Sequence, residues 1–130
     1  MFTKEQIESA HNKIKGGTDF PKYVEELKNM GVKSHEVELI DGTWTFKGVD
    51  EQVVQFKQGL EAVHISLKSS PEKFKQILTK HQKGETDYPT FCIQAGEAGV
   101  ERWISDFEQM TVTYLDLNGK IIDVEPIPST

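Results

Sequence analysis

Apolar residues recur every three or four positions in four stretches of the chain, which is the period of an amphipathic helix. The first stretch follows a capping box formed by Thr3 and Gln6. The first two predicted helices are 4–15 and 20–30. The third starts at a capping box formed by Ser69 and Glu72 and ends at Gly84. The fourth is capped by Thr86 and Asp87 and ends at Gly99.

Alternating apolar and polar residues predict strands at 34–40 and 43–47, and Asp41-Gly42 between them is typical of a type I′ hairpin turn. Further strands are predicted at 63–67, at 100–107 and on both sides of Asn118-Gly119, a second hairpin turn. The segment 49–59 is ambiguous, and we expect a short helix from Asp50. These elements indicate an α+β fold, with four main helices packed on an antiparallel or mixed sheet of about six strands.

An internal repeat appears when the chain is compared with itself at an offset of 68 positions. Seven of the 18 positions from 15 to 32 are then identical, where average residue usage predicts about one. The identical pairs are Lys15/Lys83, Gly16/Gly84, Thr18/Thr86, Asp19/Asp87, Pro21/Pro89, Gly31/Gly99 and Val32/Val100. We therefore predict two related helix–helix–strand halves, about 4–68 and 72–130, with pseudo-two-fold symmetry. The identical residues are cap and turn types, so the repeat is explained by the fold alone as well as by a site.

The length of 130 residues predicts a single domain, 1–130, and the net charge is −6. An acidic chain disfavours nucleic acid as a partner, because phosphate binding requires a basic surface. No apolar run is long enough to span a membrane, and the N-terminus lacks the features of a signal peptide. A single cysteine cannot form an intrachain disulfide, which is compatible with a reducing compartment. Together these features predict a cytoplasmic protein without membrane contact.

Cys92 is the first candidate nucleophile, and His81 and Asp87 are close to it in sequence. At the repeat offset, however, Cys92 corresponds to Val24 on an apolar helix face, which favours a core position. A favourable place at a helix C-terminus is the preferred explanation of His81, with a pocket role as the alternative. The four histidines show no metal-ligand spacing, so we predict neither a metal site nor a cofactor.

Amphipathic aromatic residues are the candidates for a binding pocket, because such residues often line pockets or interfaces as well as cores. In the second half we expect Tyr88 and Trp103 to lie near His81 and Asp87. These four residues are the predicted ligand-binding site.

Two segments resemble a known family. The first is Phe2-Thr3-Lys4-Glu5-Gln6-Ile7 with Thr18-Asp19-Phe20-Pro21 and Gly31-Val32, and the second runs from His81-Gln82-Lys83-Gly84-Glu85-Thr86-Asp87-Tyr88 through Phe91-Cys92, Ala95 and Gly99-Val100 to Trp103. They resemble a bacterial group of small domains of unknown function, number 1398, some of which carry the label "phage envelope protein". The resemblance implies a single-domain bacterial protein, and it supplies no catalytic residues.

The sequence thus indicates a small binding or interaction module, and leaves its function unknown. Its partner is an unidentified small molecule or protein, and a homodimer is left open. The alternative is an uncharacterised enzyme that uses His81 and Asp87, with Cys92 as a less favoured nucleophile.

Overall fold

Four helices and six strands form within the residues that the computed structural model describes, which are 1–14, 19–57 and 63–128. In chain order they are α1 (Lys4–His11), α2 (Phe20–Asn29), β1 (Val32–Glu38), β2 (Thr43–Gly48), β3 (Val53–Lys57), α3 (Pro71–Gln82), α4 (Tyr88–Glu97), β4 (Arg102–Asp106), β5 (Thr111–Leu115) and β6 (Ile121–Pro126). The α+β prediction is confirmed, with the sheet antiparallel.

The six strands form one sheet in the order β3-β2-β1-β4-β5-β6. At its centre β1 pairs with β4, and Glu36 lies opposite Ile104, 68 positions away in the sequence. The pairs on either side, β1 with β2 and β4 with β5, have the same register at this offset. His35 lies opposite Phe46, and the residues 68 positions later, Trp103 and Tyr114, also lie opposite each other. The bounds of α2 and α4 also differ by 68 positions at both ends.

The helices cover one face of this sheet. Residues that point to that face are buried, including Val37, Trp44 and Phe46. Phe74 of α3 packs on Tyr114, with ring centroids 4.5 Å apart. The opposite face carries mostly polar side chains such as Glu36, Thr45 and Thr113, which are only partly buried. One buried face and one polar face are usual for an antiparallel sheet.

Most predicted helix ends lie within a residue of those observed. The capping box of Thr3 and Gln6 is present. The N-cap of α3 is Ser70, which accepts a hydrogen bond from the Lys73 amide, so the predicted start at Ser69 is one residue early. The first helix is shorter than 4–15, because Asn12 is its C-cap. Lys15 and Thr18, which took part in these predictions, are outside the described residues.

Two predicted elements in the middle of the chain are wrong. The segment in which a helix from Asp50 was expected contains strand β3 instead. Two valines are adjacent there, the exposed Val53 and the partly buried Val54, so the sequence does not show the apolar–polar alternation of a strand. The segment 63–67 has no regular secondary structure and belongs to no sheet. Its backbone pairs with a helix end, since the Ser66 amide donates to the Gly96 carbonyl at 2.9 Å.

The turn at Asp41-Gly42 is not the predicted type I′ turn. Glu38 pairs with Thr43, so the loop has four residues, and only Gly42 has a positive φ, of 74°. A type I′ turn requires positive φ at both central residues. The second hairpin, at Asn118-Gly119, likewise has positive φ at the glycine alone.

Gly31 and Gly99 offer a matched test of backbone strain and close packing. Both follow a helix with φ near +95°, at +97° and +93°. A Cβ at Gly99 would lie 2.5 Å from the Cα of Ser69, whereas one at Gly31 would meet nothing within 4 Å. We expect Gly31→Ala to lower the free energy of unfolding by about 1–2 kcal/mol from conformational strain alone. Gly99→Ala should lower the free energy of unfolding by at least about 2 kcal/mol more, because the backbone at Ser69 must move to make room for the new Cβ.

Urea unfolding of the two variants and the wild type measures this difference. Equal losses in both variants would show that the contact between Gly99 and Ser69 does not constrain the fold.

Candidate functional site

A cavity of about 720 Å³ lies between the helical layer and the sheet, where the two halves of the chain meet. Both halves contribute to its wall, and most of the lining side chains are apolar or aromatic. They are His11, Ile14, Phe20, Pro21, Tyr23, His35, Trp44, Leu78, His81, Gln82, Asp87, Tyr88, Phe91, Val112, Tyr114, Glu125, Pro126 and Pro128.

Alternate side chains along the strands point towards the helices, and these side chains form the sheet side of the cavity wall. His35 of β1 and Trp44 of β2 point to the helices from the first half. Val112 and Tyr114 of β5 do so from the second half, and Glu125 of β6 lies opposite Val112. Side chains of neighbouring antiparallel strands that lie directly opposite share a face, so Glu125 is an inward-pointing carboxyl group on an edge strand.

Five polar aromatic side chains of the wall form a group, which we call the polar cluster: His11, Tyr23, His35, Trp44 and Tyr88. The ring of His11 packs edge-on against Trp44, with centroids 4.8 Å apart, and lies 5.8 Å from the ring of Tyr23. His35 lies 5.2 Å from Trp44, and Tyr88 lies 6.0 Å from it. Trp44 is therefore the centre of the cluster.

Each side chain of the polar cluster has a buried polar atom without a hydrogen-bond partner in the protein. These atoms are His11 Nδ1, Tyr23 Oη, His35 Nε2, Trp44 Nε1 and Tyr88 Oη. The Cys92 thiol and Trp44 are near the Tyr88 hydroxyl, yet neither makes a hydrogen bond of regular geometry with it. Buried polar groups in proteins almost always have a partner, so five such atoms in one wall indicate a place where water or a ligand supplies one.

Burial also determines the charge state of the histidines in the cluster. It lowers the pKa of His35 to about 3, and the neighbouring His11 adds to the effect. Burial lowers the pKa of His11 as well. Both imidazoles are therefore neutral at pH 7, each with one donor and one acceptor nitrogen.

Three of the four predicted site residues, His81, Asp87 and Tyr88, line the cavity. Trp103 is not part of the lining. It lies behind the wall, where its ring is 6.5 Å from that of Tyr88 and 5.6 Å from that of Phe91. Trp103 therefore supports the position of two lining rings from the sheet.

His81 and Asp87 both have structural partners. His81 Nδ1 is 3.1 Å from the Thr86 carbonyl oxygen, which requires this nitrogen to donate, and the ring stacks on Phe91. Burial lowers the pKa of His81. Asp87 caps α4 by accepting a bond of 2.8 Å from the Thr90 amide, and hydrogen bonding to Thr90 lowers the pKa of its carboxyl group.

The thiol of Cys92 has the properties of a core side chain. It is 1% exposed, and burial raises its pKa to about 12. A reactive cysteine needs an accessible thiolate, which neither property allows at neutral pH.

Sequence reasoning missed most of the first half's contribution to the site. His11, Tyr23 and His35 were not predicted as site residues, and Glu125 was not considered. One available signal was the pair of aromatic replacements in the repeat, Phe20/Tyr88 and Tyr23/Phe91, because both members of each pair line the cavity.

Two further features concern the part of the chain that the structure describes. No group of three or more His, Cys, Asp or Glu side chains there converges in a way that could hold a metal ion. Among the helices there, none has the length and apolar character needed to cross a membrane.

Comparison with known proteins identifies one family. The model of the family described as "Protein of unknown function (DUF1398)" matches residues 8–126. No curated protein matches the chain.

The buried His35 predicts a loss of stability in mild acid. In the unfolded chain its pKa is near 6.5, and in the folded protein it is about 3. As the pH falls through this window the unfolded state binds a proton that the folded state excludes, so stability is full above the window and falls within it. Between about pH 7.5 and pH 5 this group alone should cost about 2 kcal/mol.

Urea unfolding at the two pH values tests this, with His35→Phe as the variant that lacks the titrating ring. The wild type should lose about 2 kcal/mol more than the variant on acidification. His64→Gln, at an exposed position, is the control and should behave as the wild type. Parallel losses in all three proteins would contradict the assignment to His35.

Cys92 should react slowly with iodoacetamide in the native protein near neutral pH. Burial and the raised pKa leave almost no accessible thiolate, so labelling has to wait for the fold to open. Mass spectrometry of the labelled protein should show a rate at least about tenfold higher in denaturing urea. Equally fast labelling of the native protein would restore Cys92 as a candidate nucleophile.

Proposed function

The chain belongs to the family described as "Protein of unknown function (DUF1398)", and because that description names no activity, we propose one from the cavity: the protein binds a small organic molecule there. The cavity volume of about 720 Å³ lies within the range of about 300–1,000 Å³ typical of ligand pockets. Its mostly apolar wall with a few polar groups is also the usual composition of such a pocket.

The observation that carries the proposal is the polar cluster. A buried polar group without a partner costs the folded protein about 1–3 kcal/mol. Trp44 is 2% exposed, and Tyr23 and His35 are each 5% exposed, so bulk water does not reach these groups freely. A cluster that served only to stabilise the fold would gain from apolar replacements, whereas a cluster that hydrogen-bonds a ligand explains the polar atoms.

The internal repeat supports the same proposal. The cavity lies at the junction of the two predicted halves, and aromatic residues at matched positions line it from both sides. The shared strand registers and the matched bounds of α2 and α4 support a pseudo-two-fold relation between the halves. We propose that the joining of two similar units forms the binding site, which neither half encloses alone.

Three further statements stay predictions. The single buried thiol, Cys92, supports a reducing compartment such as the cytoplasm. A homodimer stays a prediction, and so does the label "phage envelope protein".

The alternative function, an enzyme that uses His81 and Asp87, also stays a prediction. Both side chains line the cavity, but His81 bonds Thr86 and Asp87 caps α4. Their contacts favour a structural and ligand-facing role, so binding is the proposal that the geometry supports best.

A substitution that fills the cavity tests binding. Val112 is buried in the wall, and its counterpart at the repeat offset is Trp44. We expect the new indole ring of Val112→Trp to occupy much of the cavity. It should lower the affinity for the neutral fluorophore N-phenyl-1-naphthylamine at least about tenfold, because the ring takes up the space that the probe needs. Fluorescence titration measures the affinity.

Thr113→Trp is the matched control, since it adds the same ring on the polar face of the same strand. It should bind the probe as the wild type does. A wild type that shows no saturable binding, or a Val112→Trp variant that binds equally well, would contradict the proposal.

A further inference from the structure

The charges around the cavity limit the chemistry of its ligand, on the premise that the cavity is the binding site proposed above. Two acidic residues, Asp87 and Glu125, belong to the described lining, and no lysine or arginine does. The three lining histidines, His11, His35 and His81, are uncharged at neutral pH, because burial lowers the pKa of each. The described wall is therefore negatively charged at pH 7.

The negative charge on the β6 side involves a pair of carboxyl groups. Asp123 lies two residues before Glu125 on the same strand and therefore on the same inward face, opposite Tyr114. Asp123 Oδ2 is buried, and the Asp123 carboxyl group lies within hydrogen-bonding reach of the Glu125 carboxyl group. Burial and the neighbouring Asp123 raise the pKa of Glu125, while Lys75 of α3 is close enough to oppose this shift. The carboxyl groups of Asp123 and Glu125 therefore lie side by side on the inward face of β6.

Aromatic rings form much of the remaining wall. Six of them belong to Phe20, Tyr23, Trp44, Tyr88, Phe91 and Tyr114. The faces of such rings attract cations, and the attraction is strongest where water is excluded. Aromatic rings together with carboxylates are the combination that recognises organic ammonium groups, and they repel anions.

The polar cluster adds a second requirement. Trp44 Nε1 can only donate a hydrogen bond, and Tyr23 and Tyr88 carry hydroxyl donors. A ligand that satisfies these groups must present an oxygen or nitrogen acceptor.

We propose that the ligand is an organic cation: an amine or quaternary ammonium compound with an apolar body. Its charged nitrogen lies on the side of the cavity that Asp87 and Glu125 line, its body contacts the aromatic rings, and an acceptor atom faces the polar cluster.

Three naphthalene probes of similar size and different charge test this proposal: 1-naphthylmethylammonium, 1-naphthylmethanol and 1-naphthylacetate. Each is titrated into the wild-type protein near neutral pH and low salt by isothermal titration calorimetry. The cation should bind at least about tenfold more tightly than the neutral alcohol, and the anion more weakly than the alcohol.

Two conservative variants and one control locate the effect. Asp87→Asn keeps a good helix cap, and Glu125→Gln keeps the shape of the side chain. Each should lower the affinity for the cation about fivefold, with little change for the alcohol. Glu108→Gln removes the same charge from an exposed position outside the lining and should leave all three affinities unchanged.

The outcomes separate the two proposals. Binding of all three probes without preference for the cation, or a cation preference that survives in Asp87→Asn and Glu125→Gln, overturns the charge inference and leaves cavity binding intact. No binding of any probe overturns both. Should Glu125→Gln fail to fold, Asp87→Asn decides, because its charge lies at an exposed helix cap rather than in the sheet.

Discussion

Backbone hydrogen bonds between β1 and β4 hold the two halves of the chain in one sheet, with Glu36 opposite Ile104. Because this central pair is antiparallel, the second half continues the sheet outward from β4 as the first half does from β1. All inward side chains then share one face, and both helix pairs pack on it. The cavity lies where the coverings of the two halves meet.

This arrangement separates the apolar core from the site. Phe74 and Phe46 have no exposed surface, and each packs against another ring, Phe46 against Phe56 and Phe74 against Phe91. The junction between the halves contains more polar groups and is not filled. Replacement of its buried donors by apolar groups would stabilise the fold, since burial without a partner is costly. Five of them in one wall are a concentrated departure from optimal packing, and such departures are expected at functional sites.

Much of the fold could be predicted from the sequence because its signals are local. The cap at Thr3, the helix ends at Gly84 and Gly99, and the alternation in 34–47 and 111–124 each depend on a few neighbouring residues. The strand β3 could not be predicted in this way, because an edge strand is half exposed on both sides. The segment 63–67 has the alternation of a strand, but its hydrogen-bond partner, Gly96, is about 30 residues away, and only the tertiary structure shows it.

The site was predicted in part for a related reason. His81, Asp87 and Tyr88 are close in sequence, so their proximity in space followed from the short connection between the end of α3 and the start of α4. Trp103 was predicted to line the cavity but lies behind two lining rings, those of Tyr88 and Phe91. Alternation shows which face of the sheet a strand residue uses, but not whether another ring covers that residue. His11, His35 and Glu125 reach the cavity from three separate elements. Their convergence depends on the pairing of β1 with β4, which no local pattern encodes.

The two halves supply the cavity with different chemistry from matched positions. At the offset of 68, Trp44 corresponds to Val112 and Tyr23 to Phe91, so the first half carries the polar member of these two lining pairs, whereas Tyr88 is the polar member of the pair Phe20/Tyr88. Four of the five side chains of the polar cluster belong to the first half, whereas both acidic residues of the described lining belong to the second. The two sides of the cavity thus differ in chemistry, with most of the unpartnered donors on one side and the acidic residues on the other. A ligand that satisfied both sides at once would need an acceptor at one end and a positive charge at the other, and the structure would bind it in a single orientation.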